Sequence, residues 1–377
     1  MQRRTWLLLL GAPAALWVVR RNLLPAPKPA TSILDFIGDQ APSSLFSRVT
    51  GARPFSFPAD HAAHPDYRHE WWYFTGNLQD SAGRQFGFQL TFFRFALTAL
   101  EPTARSAWAT RHALLGHFAL TDVDAQRFHA FQRLVRPVLE LAGTTQRPVS
   151  IWIKNWRATL EEIPAPHWTL EAAEGFQKLA LTLKPAKPYV PQGDAGYSRK
   201  SAGPGNASYY YSNTRLLAEG WLELQGTRLA VTGQAWLDRE WGTNALAGEI
   251  LGWDWFGLQL SDGTELTLYL LRRHDGTWTS FSAGSWVGSE GKVTQLSADD
   301  FSVRVKNHWR SKQTYVTYPA AWQIEIPRLH CELEIAPLFE AQEWTSPFRY
   351  WEGNVKIKGT RDGHPLGGVG YVELTGY

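Results

Sequence analysis

Along most of the chain, apolar and polar residues alternate in short runs that Gly, Pro, Asn and Asp interrupt. Alternation with a period of two sends successive side chains to opposite faces of an extended backbone, so these runs predict strands. Strands are expected at Trp71–Leu78, Gln85–Phe95, Leu114–Leu120, Ala218–Leu224, Leu229–Leu237, Trp253–Leu260, Glu265–Leu271 and Val355–Gly359. Helical spacing of apolar residues is scarce, and Arg127–Leu141 is the best helix candidate. Lys184–Gly205, with four Pro and four Gly, is expected to be a long irregular loop.

Two internal echoes set the domain organisation. Trp71-Trp-Tyr-Phe-Thr-Gly-Asn-Leu78 aligns without a gap on Trp253-Asp-Trp-Phe-Gly-Leu-Gln-Leu260, and each is followed by a Gly-bearing turn, an apolar run and an Arg, Arg94 or Arg272. Glu219-Gly220, Gly226-Thr-Arg228 and Gly233 match Glu352-Gly353, Gly359-Thr-Arg361 and Gly370. The chain therefore reads as a tandem duplication of one all-β unit, 45–245 and 246–377, joined near Thr243–Leu251. Closing each unit into a barrel removes its edge strands and leaves room for one ligand; a pair of sandwiches is the architectural alternative.

Composition sharpens this picture. Nineteen Trp, nineteen Phe and thirteen Tyr stand beside a single Met and a single Cys, Cys331, so the protein has no intramolecular disulfide and no thiolate metal cluster. The formal charge of +3 arises from Arg3, Arg4, Arg20, Arg21 and Lys28, which lie in an acid-free first thirty residues; without them 33 basic residues face 35 acidic ones. A body of that charge lacks the excess of Lys and Arg that a phosphate backbone demands, and nucleic acid is excluded as a partner.

Those first thirty residues run apolar from Trp6 to Val19 behind Arg3-Arg4. Fourteen residues rise only about 21 Å as a helix, short of a hydrocarbon core, so the segment reads as a signal peptide of twin-arginine type or an N-terminal membrane anchor. The body is expected outside the cytoplasm, periplasmic, with possible inner-membrane association through this segment, and as a monomer.

The densest cluster of chemistry is Gly233-Gln-Ala-Trp236-Leu-Asp238-Arg239-Glu240-Trp241-Gly242. On a strand Trp236, Asp238 and Glu240 share one face, and Arg239 and Trp241 share the other. Two acids crowded beside Trp raise at least one carboxyl pKa, giving an acid that holds its proton near neutrality and a partner that serves as base. The corresponding second-half positions read Glu373, Thr375 and Tyr377, which assigns the acidic pair to the first half alone. The alternative is an ion-pair plug at a barrel end. In His61-Ala-Ala-His64-Pro-Asp-Tyr-Arg-His69-Glu70-Trp71-Trp72-Tyr73, Pro65 and the spacing disfavour a metal site, and Glu70 and Trp72 are expected to face the barrel interior. Gly196–Ser212 is a Gly-rich loop carrying Arg199 and Lys200, followed by Tyr209-Tyr210-Tyr211, of which Tyr210 faces opposite to its neighbours. Asp254 lies between Trp253 and Trp255.

Taken together, His64–Leu78, Ser208–Ser212, Val231–Gly242 and Gly252–Phe256 resemble the carotenoid 1,2-hydratase (hydroxyneurosporene synthase) and AttH-like family, in its branch of secreted hydrolase-like proteins. The resemblance implies two tandem lipocalin-like barrels and an action on long, apolar, unsaturated molecules, either addition of water to a double bond or hydrolysis. Carotenoid hydratases carry His where this chain has Arg239 and Asn where it has Glu240. An Arg exchanges no proton near neutral pH, so the resemblance supports a related chemistry and not carotenoid hydration itself. On this basis Asp238, Glu240 and Glu70 are the expected catalytic carboxyls, and Trp72, Tyr210, Trp236, Arg239, Trp253, Asp254 and Trp255 are expected to bind a hydrophobic small molecule, without metal or cofactor. A non-catalytic carrier of such a molecule, or an envelope protein with a filled barrel, would use the same scaffold.

Overall fold

The computed structural model describes residues 45–99, 109–243, 248–345 and 348–377. The N-terminal export or anchor segment lies outside them. No helix among the described residues is long and apolar enough to cross a membrane.

The described chain is all-β. The first sheet comprises β1 (His69–Asp80), β2 (Gln85–Ala96), β3 (His112–Asp122), β4 (Arg127–Val135), β5 (Ala142–Gln146), β6 (Val149–Ile153), β7 (Trp156–Glu161), β8 (His167–Glu174), β9 (Gln177–Pro185), β10 (Val190–Pro191), β11 (Tyr197–Arg199), β12 (Ala207–Leu224) and β13 (Thr227–Gly242). The second comprises β14 (Ile250–Leu260), β15 (Glu265–Arg273), β16 (Ala283–Val287), β17 (Val293–Ser297), β18 (Ser302–Arg310), β19 (Thr317–Ile326), β20 (Cys331–Pro337), β21 (Glu343–Trp344), β22 (Tyr350–Arg361) and β23 (His364–Thr375). Pairing is antiparallel, in the order β4-β3-β2-β1-β13-β12-β9-β8-β7-β6-β5 for the first and β17-β16-β15-β14-β23-β22-β20-β19-β18 for the second.

In each sheet the two edge strands are consecutive in the chain, β4 with β5 and β17 with β18, so the sheet curls back on itself as a nearly closed, lipocalin-like barrel. Each encloses its own core. Phe74, Phe88, Phe118, Trp156 and Trp168 fill the first, and Phe256, Trp322, Ile324 and Leu333 the second. Arg133 on β4 spans the gap in the first barrel: its guanidinium lies 4.1 Å over the Trp156 ring and donates to the Ile153 carbonyl and to Glu174.

Two sequence expectations need correction. Arg127–Leu141 is not a helix. Arg127–Val135 pairs along its length with β3, and its apolar residues are shared between two faces, Phe131 and Val135 toward the barrel core and Phe128 and Ala130 toward Trp344 of the other barrel. Lys184–Gly205 is irregular for most of its length, but β10 and β11 pair within it against β12.

The barrels pack through the outer walls of their central strands, and the contact is polar as well as aromatic. Glu265, fully buried, accepts Lys187 Nζ at 2.8 Å and Arg215 Nε at 2.5 Å, so first-barrel cations close on a second-barrel acid. Gln259 Nε2 donates to the Thr214 and Ala235 carbonyls at 2.8 and 2.9 Å. Removing one partner of a buried ion pair strands the others without compensation. Glu265→Ala is therefore expected to cost about 3–5 kcal/mol in urea unfolding, whereas replacing the exposed Glu219 that pairs with Lys184 should cost less than about 1 kcal/mol.

Candidate active site between the barrels

Strand register fixes which side chains meet. On β1, Tyr73 lies opposite Asp238 of β13; on β14, Trp255 lies opposite Glu373 of β23. Tyr73 and Trp255 occupy the same position of the aromatic echo, so Asp238 and Glu373 are the equivalent residues of the two halves. Glycines confirm the register: a Cβ on Gly233 would lie 2.0 Å from the Asn77 carbonyl, and one on Gly368 would lie 2.4 Å from the Gln259 carbonyl. The second half is thus offset by two residues from the sequence match of Gly233 with Gly370. The assignment of the acids to the first half alone is corrected accordingly. The second half supplies Glu373 and, opposite it on β22, Glu352.

The outward faces of these strands bound a cavity at the junction of the barrels. Its aromatic walls include Trp71, Tyr73 and Tyr210 from the first barrel and Trp253, Trp255 and Tyr269 from the second. Asp238, Glu240, Glu352, Glu373 and Lys200 face the same space, which is partly continuous with solvent.

Asp238 accepts from the Tyr210 hydroxyl at 2.6 Å, from the Trp236 indole at 2.7 Å and from the Ser212 hydroxyl. Trp255 Nε1 donates to the Tyr210 oxygen at 3.1 Å, linking the barrels through the phenol. Burial outweighs these donors and, with the Glu240 charge, pushes the Asp238 carboxyl up to about 7. Burial pushes Glu373 up to about 8, helped by the charges of Asp238 and Glu240 and opposed by the Trp253 indole. Glu352 is driven well above the carboxylate range by burial and by Glu373 beside it. Glu240 differs: Lys200 Nζ lies 2.8 Å away and the Ser208 hydroxyl donates to it.

At the far wall the donor geometry is fixed by a residue that can only donate. Trp344 Nε1 donates to Gln89 Oε1 at 3.1 Å, which turns the Gln89 amide nitrogen toward Glu352 at 2.8 Å and the Tyr350 hydroxyl at 3.1 Å. Tyr73 donates to the other Glu352 oxygen. Buried His117 lies 2.6 Å from the Tyr350 hydroxyl and stacks on Trp344 at 4.5 Å, and burial takes its pKa down to about 3.

The sequence-derived site residues fall into three groups. Asp238, Glu240, Tyr210, Trp253 and Trp255 line the cavity, and Trp236 backs it, packed edge-on against Trp255 at 5.8 Å. Glu70, Trp72 and Arg239 are elsewhere, inside the first barrel. Glu70, fully buried, pairs with Arg94 and, at 3.0 Å, with Arg239, whose guanidinium lies 3.8 Å over Trp72. Burial alone would raise Glu70, but the Arg94 charge, the His64 hydrogen bond and the Arg239 charge hold it well below the carboxylate range. This is the ion-pair plug. Asp254 closes the second barrel similarly, accepting the Tyr377 hydroxyl at 2.9 Å on both oxygens, with Arg272 stacked on the Tyr377 ring at 3.8 Å. Lys200, Glu352, Glu373, Tyr73, Tyr269 and Gln89 escaped the sequence reading. Lys200 was visible in a Gly-rich loop, and the sequence match set Glu373 opposite Trp236, two residues from its structural counterpart Asp238. Among the described residues, no group of three or more His, Cys, Asp or Glu is placed to hold a metal.

Fold and site together define a protein of two lipocalin-like barrels with an acid-lined aromatic cavity at their junction. The chain belongs to the AttH-like family, whose model matches residues 48–377. It is similar to a Nitrosomonas europaea protein assigned as an AttH, with 33% identity and a TM-score of 0.79 over 88% of this chain and 100% of that one. Kievitone hydratase from Nectria haematococca shares the fold at 15% identity and a TM-score of 0.66, over 88% of this chain and 95% of that one. No curated protein matches the sequence.

Raised carboxyl pKa values have a consequence for stability. The unfolded chain releases these protons near about pH 4, while the folded state keeps them up to about 7 at Asp238 and about 8 at Glu373. Their contribution is fully present below the unfolded values and is lost as pH rises through the folded ones. Urea-unfolding free energy should therefore fall from pH 5 to pH 9 more steeply in the wild type than in an Asp238→Asn/Glu373→Gln double variant; equal slopes would contradict the shifts.

Proposed function

We propose that the protein is an exported enzyme of hydratase or hydrolase type that acts on a long, apolar, unsaturated molecule in the cavity between its barrels. One observation carries this reading: Glu373, raised to about 8 by burial, lines an aromatic cavity together with the ion-paired carboxylate Glu240. An acid that holds its proton at neutrality and a carboxylate that can take one are the pair acid–base chemistry requires.

For hydration, the Glu373 carboxyl gives its proton to one carbon of a double bond, and the π electrons form the new C–H bond. The positive charge left on the neighbouring carbon faces the rings of Trp71, Trp253 and Trp255. Water attacks that carbon, Glu240 takes the proton the water sheds, and its return to Glu373 closes the cycle. Asp238 holds the Tyr210 hydroxyl in place and keeps a second proton within the same wall. Binding needs the aromatic walls alone; turnover needs the acids. The export pattern in the first thirty residues belongs to this proposal, because it delivers the body to a membrane surface where apolar substrates concentrate.

The test is incubation of the purified protein with a membrane-lipid extract in oxygen-18-labelled water, followed by mass spectrometry. Wild type should yield a labelled, hydrated or hydrolysed product, and Glu373→Gln should slow its formation by about 10²–10⁴-fold at an unchanged melting temperature. Full turnover by both Glu373→Gln and Glu240→Gln would remove the catalytic assignment. Recovery of a bound molecule chemically intact, with equal affinity in both variants, would make the protein a carrier.

A further inference from the structure

The cavity holds more acidic groups than basic ones. Four carboxyls, Asp238, Glu240, Glu352 and Glu373, face it, against one amine, Lys200, which is taken up by Glu240 at 2.8 Å. The partners of Asp238 are the neutral donors Tyr210, Ser212 and Trp236, and those of Glu352 are the neutral donors Tyr73 and Gln89. Among the described residues no cation is paired with Asp238, Glu352 or Glu373.

The acids alone would not make a site; the walls around them do. Trp71 and Trp253 line the cavity and, unlike the core aromatics, keep part of their surface uncovered. The walls already hold one cation on ring faces: Lys200 Nζ lies 5.3 Å from the Tyr210 ring centre and 5.0 Å from that of Tyr269. Ring faces attract a weakly hydrated organic cation most strongly where water is displaced, and an enclosed carboxyl that lacks a counter-ion gains one when such a cation arrives.

We infer that the cavity takes a ligand that carries its positive charge on an apolar body, a tertiary or quaternary ammonium surrounded by hydrocarbon. The inference rests on the cavity being the ligand site of the proposed function, but it is independent of turnover. Such a cation has the shape and charge of the carbocation stage of hydration, so a substrate analogue of this class should also occupy the site.

Proton release should accompany binding. The groups facing the ligand are Asp238 and Glu240 from β13, Glu352 and Tyr350 from β22, and Glu373 from β23. Tyr73 of β1, Tyr210 of β12, Tyr269 of β15 and the loop residue Lys200 complete the set. The four phenols are shifted upward and stay neutral, so Asp238, Glu352 and Glu373, the carboxyls shifted upward, are the groups that release protons.

The experiment is calorimetry on the full chain with hexyltrimethylammonium and with its uncharged tert-butyl isostere. At pH 8 the ammonium should bind at least about tenfold more tightly, with a heat that depends on the buffer because protons are released. The preference should narrow at pH 6, in Trp253→Ala and in Glu373→Gln, while the isostere's affinity changes little in Glu373→Gln. Equal affinity for the two probes at pH 8 would overturn the inference and leave the cavity as a site for neutral ligands. Failure of both probes to bind would overturn it together with the cavity's role as a ligand site.

Discussion

Keeping carboxyl groups between two β-barrels without cations beside them is the constraint on which the rest of this structure depends. Desolvation penalises each ionised acid, and the penalty falls if the acid holds its proton or receives enough neutral donors. Both responses are built in. Tyr210, Ser212 and Trp236 converge on Asp238, and Tyr73 and Gln89 on Glu352. Because Tyr73 and Gln89 belong to the first barrel and Glu352 to the second, satisfying the acid also docks the barrels. Trp344 returns the link by fixing the Gln89 amide from the second barrel.

The molecule sorts its buried carboxyls into two kinds. Glu70 and Glu265 each have two cationic partners, Arg94 with Arg239 and Lys187 with Arg215, and these pairs hold the structure together, one inside a barrel and the other across the interface. Asp238, Glu352 and Glu373 have neutral donors and each other. The first kind is held in ion pairs; the second holds exchangeable protons in a space a ligand can occupy. Glu240, paired with Lys200 at the cavity wall, stands between them and is the group suited to receive a proton.

Much of this was legible in the chain. Period-two alternation located the strands, the aromatic echo revealed the duplication, and alternation on β13 separated Asp238 and Glu240 from Arg239. Alternation says only that two faces differ, and it does not say what covers each. Here the outward face of β13 is buried by a second barrel, so the cavity lies between barrels where a reading of one barrel alone would place it inside. Glu70, Trp72 and Arg239 consequently belong to the plug. The equivalence of Asp238 and Glu373 was hidden by glycines that match in sequence at Gly370 but serve the same close strand contact at Gly368. Lys200 reaches the cavity from an irregular loop, where no periodicity predicts a side chain's direction.

The central claim is that the cavity acids carry protons at neutral pH, and the direct measurement is the infrared carbonyl band of protonated carboxyls, taken as a difference between wild type and Glu373→Gln. At pH 7 the wild type should show a neutral-carboxyl component that the variant lacks, and that component should titrate away near pH 8. A wild-type spectrum with only ionised carboxylate at pH 7, unchanged by the substitution, would contradict the account.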